Sequence, residues 1–314
     1  MASEDSPRAV IAALLANLGI AALKFIAFAL TASSSMLSEA IHSLADTGNQ
    51  LLLLFGRHRA RRPPDDRHPF GYGPVRYFYS FIVAFVLFSL GGVFSIYEGI
   101  DKIVNPHAVD DIWVAVLVLA GAAVMEGFSF RTARAEANLV RPDDETWWQF
   151  IRHTKSPDLP VVLLEDFAAL IGLAFAFVGV VASDLTGDAT WDGVGSLAIG
   201  VLLVVVAIVL VIEMGSLLIG ESARPQVVAK IRATIENNPC VVRCIHLRTE
   251  QLGPEEIVVA TKVEIDTALT VPQLAEAIDA LEVDIRRVEP RARLIFVEPD
   301  VYRSEVGERG DVDG

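Results

Sequence analysis

His42 and Asp46 stand four residues apart in the middle of a stretch, residues 34–55, that otherwise reads as a membrane-spanning helix. Residues four apart on a helix share a face. An imidazole and a carboxylate one turn apart are two good ligands for a divalent transition metal, and Asn49 continues the stripe. Ionisable groups at bilayer depth are costly and usually face a pathway or a partner inside a helix bundle. The pair therefore points to a path for a metal ion, and the competing reading is a polar face hydrogen-bonded to a neighbouring helix. A second cluster, Glu165 and Asp166, lies in the run VVLLEDFAAL. Neighbouring residues point about 100° apart on a helix, so one of them, Asp166 by preference, faces a shared site while Glu165 reaches sideways. The alternative places both acids at the membrane interface, favoured by the helix dipole. Glu126, in VMEGFS, is the third candidate, either a proton acceptor or extra ligand, or a buried carboxyl bonded to a serine or amide of another helix. For Lys24, Glu98, Asp192 and Glu213, near helix ends, solvated or interfacial roles are expected.

These residues need a scaffold that crosses a membrane. The chain has 314 residues, 53% of them hydrophobic, with a mean hydropathy of +0.46, too apolar for an ordinary soluble protein. Apolar runs at 10–30, 34–55, 78–100, 112–130, 161–183 and 191–218 predict six transmembrane helices. The first run lacks a strongly basic leader and a small-residue cleavage site, so it reads as a retained helix. The loop after the second run holds Arg57, Arg59, Arg61, Arg62, Arg67 and Arg76, and the loop after the fourth holds Arg131, Arg134, Arg141, Arg152 and Lys155. The opposite loops carry Lys102 alone among acids, which predicts both termini on the cytoplasmic side, and the membrane expected is the plasma (inner) membrane. Gly91, Ser95 and Gly99, with Ser196 and Gly200, form small-residue stripes suited to close helix crossing. Trp147 and Trp148, with Phe150 and Ile151, predict an amphipathic patch on the inner leaflet.

After residue 218 the hydropathy collapses. Helical periodicity at 225–237 and 271–288 and strand patterns at 241–251, 255–266 and 291–297 give the order αββαβ, a small cytoplasmic α+β domain of ferredoxin-like type. The expected organisation is an α-helical membrane domain over 1–220, the ferredoxin-like domain over 221–302 and a disordered tail over 303–314. Cys240, Cys244 and His246 share a face if the segment is a strand, and buried structure is expected of them rather than metal binding. The net charge of -14 and the absence of a basic stripe argue against nucleic acid. No nucleophile and base constellation or cofactor loop suggests an enzyme.

With these motifs in order, the chain resembles the cation diffusion facilitator family, proton-coupled exporters of zinc, manganese, iron and related divalent ions. The resemblance rests on the six helices, the signature SEAIHSLADTGNQ, the loop DDRHPFGYG, the acid of the fifth helix and the αββαβ module. RYFYSF with SLGGVFSIYEGI, MEGFS and LLEDFAAL are similar to the zinc transporter 9-like branch. The resemblance implies that His42 and Asp46 are ligands of a transport site and that Asp166 fills the last position of the fifth-helix motif. Val162 stands where the motif has another ligand, so Glu165, Glu126 or water would complete the shell. Asp65 and His68 match a peripheral metal site in which Tyr72 replaces a later His, and the competing reading is a turn that orders the Arg-rich loop. Ile245, Lys262, Ala275 and Val297 stand where many relatives place histidines in the C-terminal domain, whose dimerisation the family suggests. The implied activity is efflux of a divalent cation, Zn2+ foremost with Mn2+, Fe2+ and Co2+ as alternatives, in exchange for protons by alternating access within a homodimer in the lipid bilayer. The alternative is a non-transporting membrane adaptor or scaffold whose cytoplasmic domain binds a protein partner.

Overall fold

The computed structural model describes residues 7–109 and 111–302, with side chains from Asn17 onward. The tail expected at 303–314 lies outside the described residues. The chain divides into two compact units, Met1–Arg61 with Val75–Gly215, and Arg62–Pro74 with Ser216–Gly314.

The first unit is helical: α1 (Pro7–Thr31), α2 (Ser34–Ala60), α3 (Val75–Val104), α4 (Ile112–Val140), α5 (Trp147–His153), α6 (Asp158–Thr186) and α7 (Thr190–Ile219). Among the described residues, α3, α4, α6 and α7 are long and apolar enough to cross a membrane. The sequence predicts six such helices. The polar stripe of α2 dilutes the hydropathy of its 27 residues, and α1 contributes a shorter apolar stretch, Asn17–Thr31.

The start of α2 is fixed by a neighbouring helix. Ala32 adopts a left-handed conformation at φ 51°, and Ser33 caps the helix by accepting from the Met36 amide. Asp192 of α7 accepts from the Ser33 hydroxyl and the Ser34 amide, both at 2.7 Å, and from the Ser35 amide at 3.3 Å. A carboxylate on the exposed amides of a helix N-terminus satisfies donors that have no partner within the helix. Lys102 of α3 stands 3.8 Å from Asp192 and donates to the Ala32 carbonyl at 3.1 Å. Asp192, expected at the interface, is instead fully buried.

The small-residue stripes meet as their spacing predicts. A Cβ on Gly99 of α3 would fall 2.6 Å from the Leu197 nitrogen, and one on Gly200 of α7 would fall 2.6 Å from the Ile96 nitrogen. Ser196 joins three helices, lying 2.5 Å from the Ser38 hydroxyl of α2 and donating to the Ser95 carbonyl of α3. The middle of α3, Leu87–Val93, is wound as a π-helix. Such turns often occur beside functional sites.

Helix α5 starts with a capping box between Thr146 and Gln149. Phe150 and Ile151 turn inward, and Phe150 packs with Ala133, Ala137 and Leu163, so the exposed part of the expected amphipathic patch rests on Trp148.

In the second unit, α8 (Pro225–Glu236), β1 (Val241–Gly253), β2 (Glu256–Ile265), α9 (Val271–Val288) and β3 (Ala292–Asp300) reproduce the order αββαβ. β1 pairs antiparallel with β2, and β2 pairs parallel with β3 across α9, giving the sheet order β1-β2-β3. Ile231, Ile235, Leu281 and Ile285 of the helices pack on Ile257, Val259, Val263 and Ile295 of the sheet. Segment 62–74, which the sequence reading places with the helices, packs in this unit. Phe70 meets Phe296 edge-on at 6.5 Å, and a Cβ on Gly73 would fall 2.5 Å from the Leu252 carbonyl oxygen. Cys240 precedes β1 and a register shift separates Cys244 from His246, so the three do not form one strand face. The buried Cys244 thiol lies 3.7 Å from both the His246 carbonyl and the Thr261 hydroxyl.

Backbone atoms cannot yield to an added side chain, so Gly200→Val is expected to cost about 1–3 kcal/mol by overpacking. Its apparent Tm in detergent should fall by several degrees, whereas Gly121→Ala, with nothing within 4 Å of the added carbon, should leave Tm unchanged. Equal Tm values for the two variants would remove the α3–α7 contact from the stability of the bundle.

Candidate metal centre

Helix α2 carries Glu39, His42, Asp46 and Asn49 on one face, at spacings of three, four and three. Glu39, His42 and Asn49 are buried. His42 Nδ1 lies 3.6 Å from Asp46 Oδ1, and among the described residues neither nitrogen of His42 nor this oxygen of Asp46 has a hydrogen-bond partner. The π-helical turn of α3 passes beside the imidazole. A Cβ on Gly91 would lie 3.8 Å from His42 Nδ1.

Helix α6 brings the second pair of acids. Glu165 is buried and accepts from Asn49 Nδ2 at 2.7 Å, while Asp166 accepts from the Ser129 hydroxyl of α4 at 2.9 Å. A cavity of about 20 Å³ lies among these helices, lined by Asp46, Glu126, Glu165 and Asp166 together with Asn17 of α1 and Val162 of α6. That is room for one water-sized body. Four carboxylates from three helices thus face a common small space. His42 stands next to Asp46 but does not line this cavity. Among the described residues, no three His, Cys, Asp or Glu side chains form a group able to hold a metal ion as they stand.

Sequence reasoning missed three pairings in this arrangement, although it placed Asn49 on the stripe of α2. Ser129 and Asn49 each hold one oxygen of an acid on α6, and both are neutral donors that orient a carboxylate without cancelling its charge. Lys24 is the third. Its ammonium, expected to snorkel outward, is fully buried and donates to Glu39 at 2.9 Å and to the Ser43 hydroxyl at 2.7 Å. Gly172 of α6 makes the space, since a Cβ there would fall 2.7 Å from Glu39 Oε1. The position of Glu39, three residues before His42, placed it on the same face and was a signal for the pair. Glu213 is likewise mostly buried, 3.3 Å from Arg152.

The residues expected at a peripheral site lie in the second unit. Asp65 accepts from the amides of Arg67 and His68 at 3.0 and 2.8 Å and from the Tyr72 hydroxyl at 2.6 Å. His68 Nδ1 is 3.4 Å from Asp65, and its ring is stacked at 4.3 Å on Tyr72. These are the contacts of an ordered turn. They hold the Asp65 carboxyl below its ordinary range, the Tyr72 hydrogen bond most of all. Lys262 bridges Glu298 and Asp300 of β3 at 3.0 Å each, which raises its own pKa.

A family profile described as the cation efflux transmembrane domain matches residues 10–219. The mitochondrial proton-coupled zinc antiporter SLC30A9 of Xenopus laevis is 34% identical over 270 residues, 85% of this chain and 48% of that protein. Metal tolerance protein C4 of Arabidopsis thaliana is 32% identical over 252 residues, 80% of this chain and 55% of that protein. The cation-efflux pump FieF of Pectobacterium atrosepticum is 24% identical over 307 residues, 96% of this chain and 95% of that protein. The chain spans about half the length of the first two relatives and nearly all of the third.

Removing one member of a buried ion pair strands the other charge, at a cost of about 3–5 kcal/mol. Lys24→Met should therefore lower the unfolding temperature sharply, and Lys24→Met with Glu39→Gln should recover most of the loss. Additive losses in this cycle would show that the pair is not coupled. At the loop, a depressed carboxyl pKa means that the ordering it supports is complete above the ordinary aspartate range and is lost as pH falls through the depressed value. Tyr72→Phe should move the Asp65 titration, followed by carboxyl NMR, upward. An unmoved curve would assign the shift to the backbone donors.

Proposed function

The chain belongs to the cation efflux family, also called the cation diffusion facilitators, on its zinc transporter 9-like branch, and from that membership we propose that it exports a divalent cation, foremost Zn2+, in exchange for protons. The observation that carries this reading is the set of buried polar atoms without partners. Among the described residues, both nitrogens of His42 and Oδ1 of Asp46 lack partners beside a cavity walled by four carboxylates. Buried polar atoms in native proteins are nearly always satisfied, so such a group marks a place where something else binds. An imidazole with carboxylates is a donor set for Zn2+, with Mn2+, Fe2+ and Co2+ as competitors.

His42, Asp46 and Asp166 are the proposed ligands, with Glu165 and Glu126 completing the shell from the cavity wall. Val162, four residues before Asp166, is an apolar patch in that wall, which leaves the fourth position to a carboxylate or water. A cation entering the cavity would draw Asp46, Glu165 and Asp166 together. Ligands shed protons as they bind metal, so loading from one side and release to a more acidic side exchange the ion for protons. A neutral imidazole suits this exchange because its ordinary pKa lies near working pH. The site would be exposed alternately to the two sides, as in other transporters with sites near the midplane.

In this reading α1, α2, α3, α4, α6 and α7 are six spans, both termini are cytoplasmic on the side of the arginine-rich loops, and the membrane is the plasma (inner) membrane. The αββαβ unit is a ferredoxin-like domain through which a homodimer forms. The role is transport without catalysis of a covalent step. An adaptor would have no use for unsatisfied ligand atoms at membrane depth, which favours the transporter over the scaffold reading.

The test is flux in proteoliposomes carrying an internal pH dye. Added Zn2+ should drive proton movement in the wild type, and Asp46→Ala and Asp166→Ala should abolish it while leaving the protein monodisperse. Asn49→Ala, which releases only the orienting bond on Glu165, should weaken apparent affinity by about 10–100-fold. Absence of proton movement with every divalent ion tried would overturn the transporter reading.

A further inference from the structure

We propose that the groove between α4, α5 and α6 seats an anionic phospholipid, with one acyl chain in its apolar trough and the phosphate against the Arg134 guanidinium. The groove is a cavity of about 540 Å³ whose walls include Phe130, Trp147, Trp148, Leu163 and Phe167, with Arg134 at its polar edge. Phe130 and Phe167 meet across it at 6.1 Å between ring centroids. Trp148 and Phe167 are 52% and 47% exposed, on a protein whose apolar helix faces stand in a bilayer. In that setting an open apolar trough is filled by a lipid chain.

Charge selects which lipid. Arg134 is held 5.6 Å from the centre of the Trp147 ring, and Arg141 lies over the same ring at 4.7 Å. Trp147 is itself fixed by the capping box that starts α5 and by an edge-on contact with the buried Phe150 at 6.3 Å. The guanidinium is thus held beside the ring by a cation–π contact, a use to which arginine is better suited than lysine. Among the described residues, neither Arg134 nor Arg131, one turn earlier on α4, has an acidic partner. A planar guanidinium with unpaired donors, beside an interfacial tryptophan, matches a phosphate in both charge and geometry. Basic side chains near a membrane surface also attract anionic lipid in general. The groove adds a fixed place for it.

The seat adjoins the candidate metal centre along the chain. Phe130 follows Ser129, Phe167 follows Asp166, and the Ser129 to Asp166 hydrogen bond joins the helices that form the groove. A lipid chain in the trough would pack against the outer side of the seam whose inner side carries those polar groups.

The four tryptophans allow a direct test. In a Trp113→Phe and Trp191→Phe background, fluorescence reports only Trp147 and Trp148. The protein is reconstituted in phosphatidylcholine with rising fractions of brominated phosphatidylglycerol or brominated phosphatidylcholine, and quenching is followed. Half-maximal quenching is expected at a several-fold lower fraction of the anionic lipid. The difference should vanish in Arg134→Ala and survive in Arg134→Lys at reduced size, and added salt should shrink it. Coincident curves for the two lipids in the parent protein would overturn the proposal, and this comparison stands even if an arginine variant fails to reconstitute. A difference that survives Arg131→Ala with Arg134→Ala would overturn the assignment of the phosphate to this groove.

Discussion

A helix that carries charge into a bilayer must find partners for it on other helices, because hydrocarbon supplies none. In the proposed six-span arrangement helix α2 is that helix. Its first amides are met by Asp192 of α7, Glu39 by Lys24 of α1, Ser38 by Ser196 of α7, and Asn49 by Glu165 of α6. Near its far end Arg57 pairs at 2.9 Å with Asp158 of α6, an acid that Arg76 of α3 also grips. Much of the bundle can be understood as the set of groups that α2 requires. Asp158 and Asp192 both stand at helix starts, so each also gains from the positive end of its own helix.

The demand for polar partners explains the demand for small residues. Asp192 and Ser196 reach α2 only if α7 lies close to it, and α7 approaches α3 through Gly99, Gly193 and Gly200, where even a methyl group would meet backbone. Gly172 does the same for Glu39. Close packing without glycine would leave the serines and carboxylates short of their partners, and each stranded group would cost free energy on the scale of a lost buried hydrogen bond.

The αββαβ order and the small-residue crossing were legible because each is written in local periodicity. His42, Asp46, Glu126, Glu165 and Asp166 were singled out as costly groups expected at membrane depth, and the structure gathers four of them around one cavity. What the sequence hid was pairing across distance. Lys24 lies 15 residues from Glu39 and Ser129 lies 37 from Asp166, and no local pattern says which helices adjoin. The burial of Asp192 and Lys24 was misread for the same reason, since nearness to a helix end is visible and a partner on another helix is not. The packing of segment 62–74 onto β1 and β3 rests on Phe70 and Gly73, which in isolation look like turn residues.

The distribution of counter-charges separates the acids paired with a basic side chain from those that line the cavity. Glu39 has Lys24, Asp192 has Lys102, Asp158 has two arginines and Glu213 has Arg152. The acids of the cavity are treated differently. Among the described residues, Glu165 and Asp166 receive only neutral donors, Asp46 faces a histidine at 3.6 Å, and Glu126 has no basic partner. Basic side chains are available nearby, since the Lys24 ammonium is bonded to Ser43, which itself lines the cavity. A resident ammonium among the four carboxylates would satisfy them permanently and shut out a mobile cation. Holding Lys24 on Glu39, one turn from His42, keeps that charge off the cavity while leaving its field close by. Neutral donors fix the directions of the carboxylate oxygens and leave their charge uncancelled, which is what the proposed transport site would require of its walls.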